Sequence, residues 1–160
     1  MEGKHNQEEL IEVVIPKDKA VFGMNELGKW YNEFGLITKP SIIKKLNSSL
    51  SFDECGFYVS QVIDTRREKI YFPYVETALF AIDFSINDVN NIRLKLNTKE
   101  QIQLDPESLF VKDDCLYQEQ SEYCIKFSER ALVKLSKNLE EEGDQLLIVI
   151  NGHPYSIEQR

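Results

Sequence analysis

Ile92, Leu94 and Leu96 alternate with Arg93 and Lys95, a repeat that only a strand with one wet face satisfies. Strand-like runs of this kind dominate the chain. Phe57–Ile63, Lys69–Tyr74 and Thr77–Ser85 are rich in aromatic and β-branched residues and read as consecutive strands. Leu109–Lys112, Leu116–Gln118 and Tyr123–Phe127 read as further short strands. Gln145–Ile150 and Tyr155–Ile157 flank an Asn151-Gly152 turn and predict a terminal hairpin. Nearer the start, Val21–Ile37 holds two short strands, with Asn25, Gly28 and Gly35 as turn residues.

Helical spacing occurs only twice. Thr38 is a cap and Pro40 suits a first turn, after which Ile42, Ile43, Leu46 and Leu50 form one face. The second helix begins at the N-cap Ser128 and carries Ala131, Leu132, Leu135 and Leu139 as its buried stripe. Gly143 is its left-handed stop, and Glu140-Glu141-Glu142 with Asp144 reads as its solvated end. Strands and helices therefore do not alternate one for one. The chain predicts an α+β fold of largely antiparallel sheets with two helices. Each half has one helix and several strands, which points to a structural duplication, although no repeat is visible residue by residue. The expected division is a flexible tail over 1–18, an N-terminal subdomain over 19–75 and a C-terminal subdomain over 76–160; Leu10–Ile15 is long enough for an edge strand.

The 160 residues are 42% hydrophobic and 29% charged, an ordinary globular balance that excludes disorder. The net charge of −8 argues against a partner such as duplex nucleic acid, whose phosphates demand a basic footprint. The polar, acidic N-terminus predicts no signal peptide, and no apolar run is long enough for a membrane span. Cys55, Cys115 and Cys124 are odd in number and widely spaced, so a reducing, cytoplasmic setting is expected. His5 and His153 are the only histidines, and no zinc spacing is present; no metal and no cofactor is expected.

Catalytic signatures are equally scarce. The seven glycines form neither a P-loop nor a dinucleotide fingerprint, and no GxSxG elbow occurs. His153 reads as part of a hairpin tip. One cluster stands out on the acidic background: Arg66, Arg67 and Lys69, placed between two strands. Guanidinium forks suit phosphate or carboxylate, and Tyr58, Tyr71 and Tyr74 offer stacking faces. The same cluster is also what keeps an edge strand soluble.

Gly28-Lys29-Trp30-Tyr31, then Gly35-Leu36-Ile37-Thr38-Lys39-Pro40 opening a helix, resembles a bacterial family of uncharacterised proteins, domain of unknown function 1285. Gly56-Phe57-Tyr58, Val75-Glu76-Thr77-Ala78-Leu79-Phe80, Asn97 after a strand, and the helix from Ser128 to Leu139 continue the resemblance over roughly residues 20–157. After the glycine-aromatic strand this chain departs from the family's T-P-V-E-K stretch, with the longer Val62–Lys69 in its place. The resemblance implies a duplicated core, a pleckstrin-homology-like C-terminal half and a signalling role without established catalysis. It also implies a nucleotide-like ligand between the halves.

The resulting expectation is a ligand-binding module and not an enzyme. An anionic small molecule would meet Arg66, Arg67 and Lys69, stack on Tyr58 or Tyr74, and find Trp30 and Glu76 beside it. The same reading puts core packing ahead of a ligand role for Trp30, and a sheet-surface charge ahead of one for Glu76. Two alternatives stand: an adaptor for a protein partner with no small ligand, and a hydrolase built on two facing carboxylates.

Overall fold

The computed structural model describes residues 10–87 and 91–160 and divides into two compact units. The first takes the chain up to Gly23 and resumes over Trp30–Pro73; the second takes Met24–Lys29 and Tyr74–Arg160. The expected boundary after residue 75 misses the excursion Met24–Lys29. That loop is closed by Asn25, whose side chain accepts from the amides of Leu27 and Lys29 at 3.0 and 2.9 Å. Lys126 then holds it to the second unit by donating to the Glu26 carbonyl at 2.8 Å. Gly28 has a φ of 75°, and a Cβ there would lie 2.9 Å from the Phe80 ring, so no other residue fits without a shift.

In the first unit the strands are β1 (Ile11–Ile15), β2 (Phe22–Met24, whose last residue is counted with the second unit), β3 (Trp30–Asn32), β4 (Gly35–Leu36), β5 (Leu50–Asp53), β6 (Gly56–Ile63) and β7 (Arg66–Tyr71). Helix α1 (Pro40–Ser48) lies between β4 and β5. One sheet has the order β1-β7-β6-β5 and a small one the order β2-β3-β4. Part of the tail expected over 1–18 lies outside the described residues, to position 9. From Ile11 it is not a tail. The apolar run Ile11–Ile15 pairs parallel to β7, from Ile11 opposite Arg66 to Ile15 opposite Ile70, and forms a sheet edge.

Two further expectations are corrected here. Arg66 and Arg67 are not in a loop between strands: the turn is complete at Asp64-Thr65, where Asp64 takes a φ of 54°, and both arginines are paired in β7. Helix α1 is capped by Lys39, with no side-chain bond, and not by Thr38. Its first turn does hold Pro40, as the missing N–H requires.

The second unit contains β8 (Phe80–Ile86), β9 (Ile92–Leu96), β10 (Gln101–Gln103), β11 (Leu109–Lys112), β12 (Cys115–Glu119) and β13 (Cys124–Phe127). Helix α2 (Glu129–Leu135) follows, then β14 (Leu139–Glu142), β15 (Gln145–Ile150) and β16 (His153–Gln159). They form a nine-stranded sheet in the order β10-β9-β8-β13-β12-β11-β16-β15-β14. Its pairings are antiparallel except β8 with β13 and β11 with β16. The protein is an α+β fold of mostly antiparallel sheet with two α-helices among the described residues.

Helix α2 is shorter than its apolar spacing predicts. Ser128 caps it by accepting from the Ala131 amide at 3.2 Å, and Ala131 and Leu135 are its buried residues. After Leu135 the chain tightens into a 3-10 turn over Ser136–Asn138 and leaves as a strand. Leu139 and the three glutamates therefore belong to β14, and Gly143 turns a hairpin instead of ending a helix.

Of three buried polar side chains, Thr77 and Asn97 fix the start of β8 and Gln118 fixes the chain after β10. Thr77 donates to the Cys124 carbonyl at 2.6 Å and accepts from the Leu79 amide. Asn97 accepts from Phe80 N and donates to Ala78 O. Gln118 accepts from Asp105 N at 2.9 Å.

Candidate functional site

The seven residues singled out by sequence divide between the units. Trp30, Tyr58, Arg66, Arg67 and Lys69 lie in the first, Tyr74 and Glu76 in the second. Alternation along β7 sends Arg66 to one face of its sheet and Arg67 and Lys69 to the other. Arg66 is 52% exposed in its side chain and lies 3.8 Å from Glu68; Arg67 is exposed. Trp30 is fully buried against Phe22 and Phe72, and its indole N–H donates to Asn47 Oδ1 at 2.8 Å. Glu76 takes a φ of 62° and pairs with Lys112 at 3.6 Å. Tyr74 is half-buried.

What does come together in the first unit is Lys69, Tyr58, Tyr71 and Asp53. The register places Tyr58 opposite Tyr71 and Ser60 opposite Lys69 on one face of the sheet. Lys69 Nζ lies 4.5 Å from the centre of the Tyr58 ring, a cation–π contact. Asp53 Oδ2 accepts from Lys69 at 2.8 Å and from the Tyr71 hydroxyl at 2.6 Å. Glu12 approaches the same ammonium at 3.8 Å. The hydrogen bond and charge of Lys69, then the Tyr71 hydroxyl, hold the Asp53 carboxyl below its ordinary range. The same bond raises Lys69, and the Asp53 contact with burial pushes Tyr71 up to about 12. The ammonium is already neutralised by carboxylates of its own chain.

Two adjoining cavities lie within the second unit. The first has a volume of about 500 Å³. Its floor is Val111, Leu116, Leu132, Leu139 and Leu146, and its rim carries Asp114, Glu141 and Asp144, with no lysine or arginine among the described residues of the lining. Each acid is placed by local backbone. Asp113 and Asp114 both take positive φ at the β11–β12 turn, Glu141 shares its strand face with Leu139, and Gly143 at φ 62° brings Asp144 round. The second cavity, about 420 Å³, has Phe80, Phe127 and Leu27 as apolar wall and Lys29, Lys126 and Arg130 among its charges, with Glu26, Asp114 and Glu129. Cys115, a free and half-buried thiol, and Leu132 border both cavities. Burial raises the Cys124 thiol, which lines neither cavity, with the Glu76 charge adding to it.

None of the seven expected residues lines either cavity. The residues that do come from positions 26–29, 80, 111–116, 126–146 and 159, which no local motif links. The visible signal was the acidic run at Glu140–Glu142 with Asp144, and its helical reading hid what it borders. Among the described residues no helix is long and apolar enough to cross a membrane.

No family model and no curated protein matches the sequence. Solved structures do. A DUF1285 family protein from Silicibacter pomeroyi DSS-3 superposes with a TM-score of 0.60 at 11% identity, covering 93% of this chain and 83% of its own. A DUF1285 family protein from Shewanella baltica OS155 gives 0.52 at 13% identity, covering 73% of this chain and 91% of its own. The α+β fold read from the residues and the resemblance to domain of unknown function 1285 both agree with these structures, and by fold this chain stands with the DUF1285 family proteins.

Proposed function

We propose that this chain is a DUF1285-type binding protein, not an enzyme, and that its second unit recognises a basic, partly apolar segment of a protein partner. One observation carries the reading: a cleft of about 500 Å³ with five aliphatic side chains in its floor and, among the described residues, only carboxylates for charge. That volume lies in the range of pockets that bury a ligand, and an apolar floor supplies the affinity. With no lysine or arginine among the described residues that line this cleft, the carboxylates select a cationic occupant and repel an anionic one.

The test is a calorimetric titration of the whole chain with two short peptides, one alternating lysine with leucine, the other glutamate with leucine. The lysine peptide is expected to bind saturably and the glutamate peptide not at all. Replacing both Asp114→Lys and Asp144→Lys is expected to weaken the lysine peptide at least tenfold. Equal binding of the two peptides, or none, overturns the reading.

A second reading, an anionic small ligand, is favoured by the 420 Å³ cavity. Lys29 and Arg130 line it and make no ion pair among the described residues, while Phe80 and Phe127 provide aromatic wall. Here the cations are those of the second unit and not Arg66, Arg67 and Lys69. A thermal-shift screen against nucleotides and inorganic polyphosphate tests it. A stabiliser that loses its effect in Lys29→Met plus Arg130→Met supports this reading, and one unaffected by both changes defeats it.

A further inference from the structure

Strand β14 ends the nine-stranded sheet, so among the described residues its outer edge has no neighbouring strand. It is also the wall of the acidic cleft: Leu139 and Glu141 line the cavity, and between them Glu140 faces the other way. An open strand edge beside an apolar cavity is the arrangement by which a chain accepts an added strand. Main-chain bonds give the affinity and alternate side chains drop into the pocket. We infer that the partner segment adds as an extended strand along β14, with basic residues against the glutamates and an aliphatic residue over Leu139 and Leu146.

This rests on the reading of the acidic cleft as a docking site for a basic segment, and it goes further by fixing the segment's conformation and place. Charge selects the occupant. Glu140, Glu141 and Glu142 follow one another along the edge, with Asp144 just beyond, so both faces of an added strand meet carboxylates. A second copy of this chain, at −8, would bring more negative charge to the same edge and is repelled. A strand carrying lysine or arginine is attracted, because like charges directly opposite destabilise a pair and unlike charges stabilise it. A helix laid in the cleft would fill the floor but leave the β14 amides and carbonyls unused.

The experiment uses the lysine–leucine peptide in three forms: unmodified, N-methylated at one set of alternate residues, and N-methylated at the other set. In a strand, alternate amides face the same neighbour. One methylated peptide is therefore expected to lose at least tenfold in affinity and the other less than twofold. Amide exchange in β14 of the intact chain is expected to slow when the unmodified peptide binds. If both methylated peptides bind as tightly as the parent, strand addition is wrong while cleft docking survives. If the parent binds but Glu141→Lys leaves its affinity unchanged, the edge is not the contact. If the parent does not bind, the reading of the cleft itself has failed.

Discussion

Asp53 shows how a single side chain can consume the functional promise of its neighbours. Its carboxylate takes the Lys69 ammonium and the Tyr71 hydroxyl at once. A carboxyl whose pKa is lower folded than unfolded contributes stability above its unfolded value, and that contribution is lost as the pH falls through the lower, folded one. Stability of the native protein should therefore decline below about pH 4, and Asp53→Asn should flatten that part of the curve in denaturant melts taken at several pH values. On the alkaline side the sign reverses. Tyr71, raised from 10.0 to about 12, keeps its proton in the folded state, so its contribution is complete below 10.0 and lost as pH rises through about 12. Asp53→Asn should return one phenol to the ordinary range, visible as earlier phenolate absorbance in a spectroscopic titration. Thr77 is the buried counterpart. Thr77→Val keeps the shape but leaves the Cys124 carbonyl and the Leu79 amide unanswered, and should cost about 1–3 kcal/mol in urea denaturation.

Helix α2 and strand β14 are the elements where reading and structure part, and the reason is physical. Leu132, Leu135 and Leu139 keep helical spacing, and nothing in apolar periodicity says that the backbone changes between the second and third of them. What intervenes is a 3-10 turn at Ser136–Asn138, where Ser136 donates to the Val133 carbonyl and Asn138 to the Val149 carbonyl. These short polar side chains compete for backbone groups and end a helix early. The start was legible because a cap is a local device. Ser128→Ala should cost about 1 kcal/mol, measured by thermal or chemical melting, since the Ala131 amide loses its acceptor. The strands were legible for the same local reason: period-two runs, and an Asn151-Gly152 turn with both φ values positive. Arg66 and Arg67 were misplaced because their charge resembles a loop's, whereas Ile11–Ile15, a run expected only to be able to add an edge, supplies β7 with its parallel neighbour. The cleft was not legible. Its lining gathers strand, turn and helix residues from positions 111 to 159, and only tertiary folding makes them adjacent.

At the scale of the whole molecule, charge is unevenly divided. The second unit holds ten lysines and arginines against seventeen aspartates and glutamates, which leaves −7 of the chain's −8 there. The field of that excess adds to the three carboxylates at the cleft and acts over a distance set by salt. Screening shortens that distance from about 10 Å at 0.1 M to about 3 Å at 1 M. Contacts of carboxylate with lysine at the rim are exposed and weaken accordingly, while burial of leucine on Leu139 and Leu146 does not depend on screening. The two contributions can thus be separated without a mutation. Affinity for the lysine–leucine peptide should fall at least tenfold between 0.1 and 1 M sodium chloride, followed by calorimetry on the intact chain. The residual affinity should then depend on the apolar residues of the peptide, so that replacing its leucines by alanine removes what salt leaves behind. An affinity that holds constant across that range would mean the carboxylates select nothing, and the excess charge of the second unit would then serve only to keep copies of the chain apart.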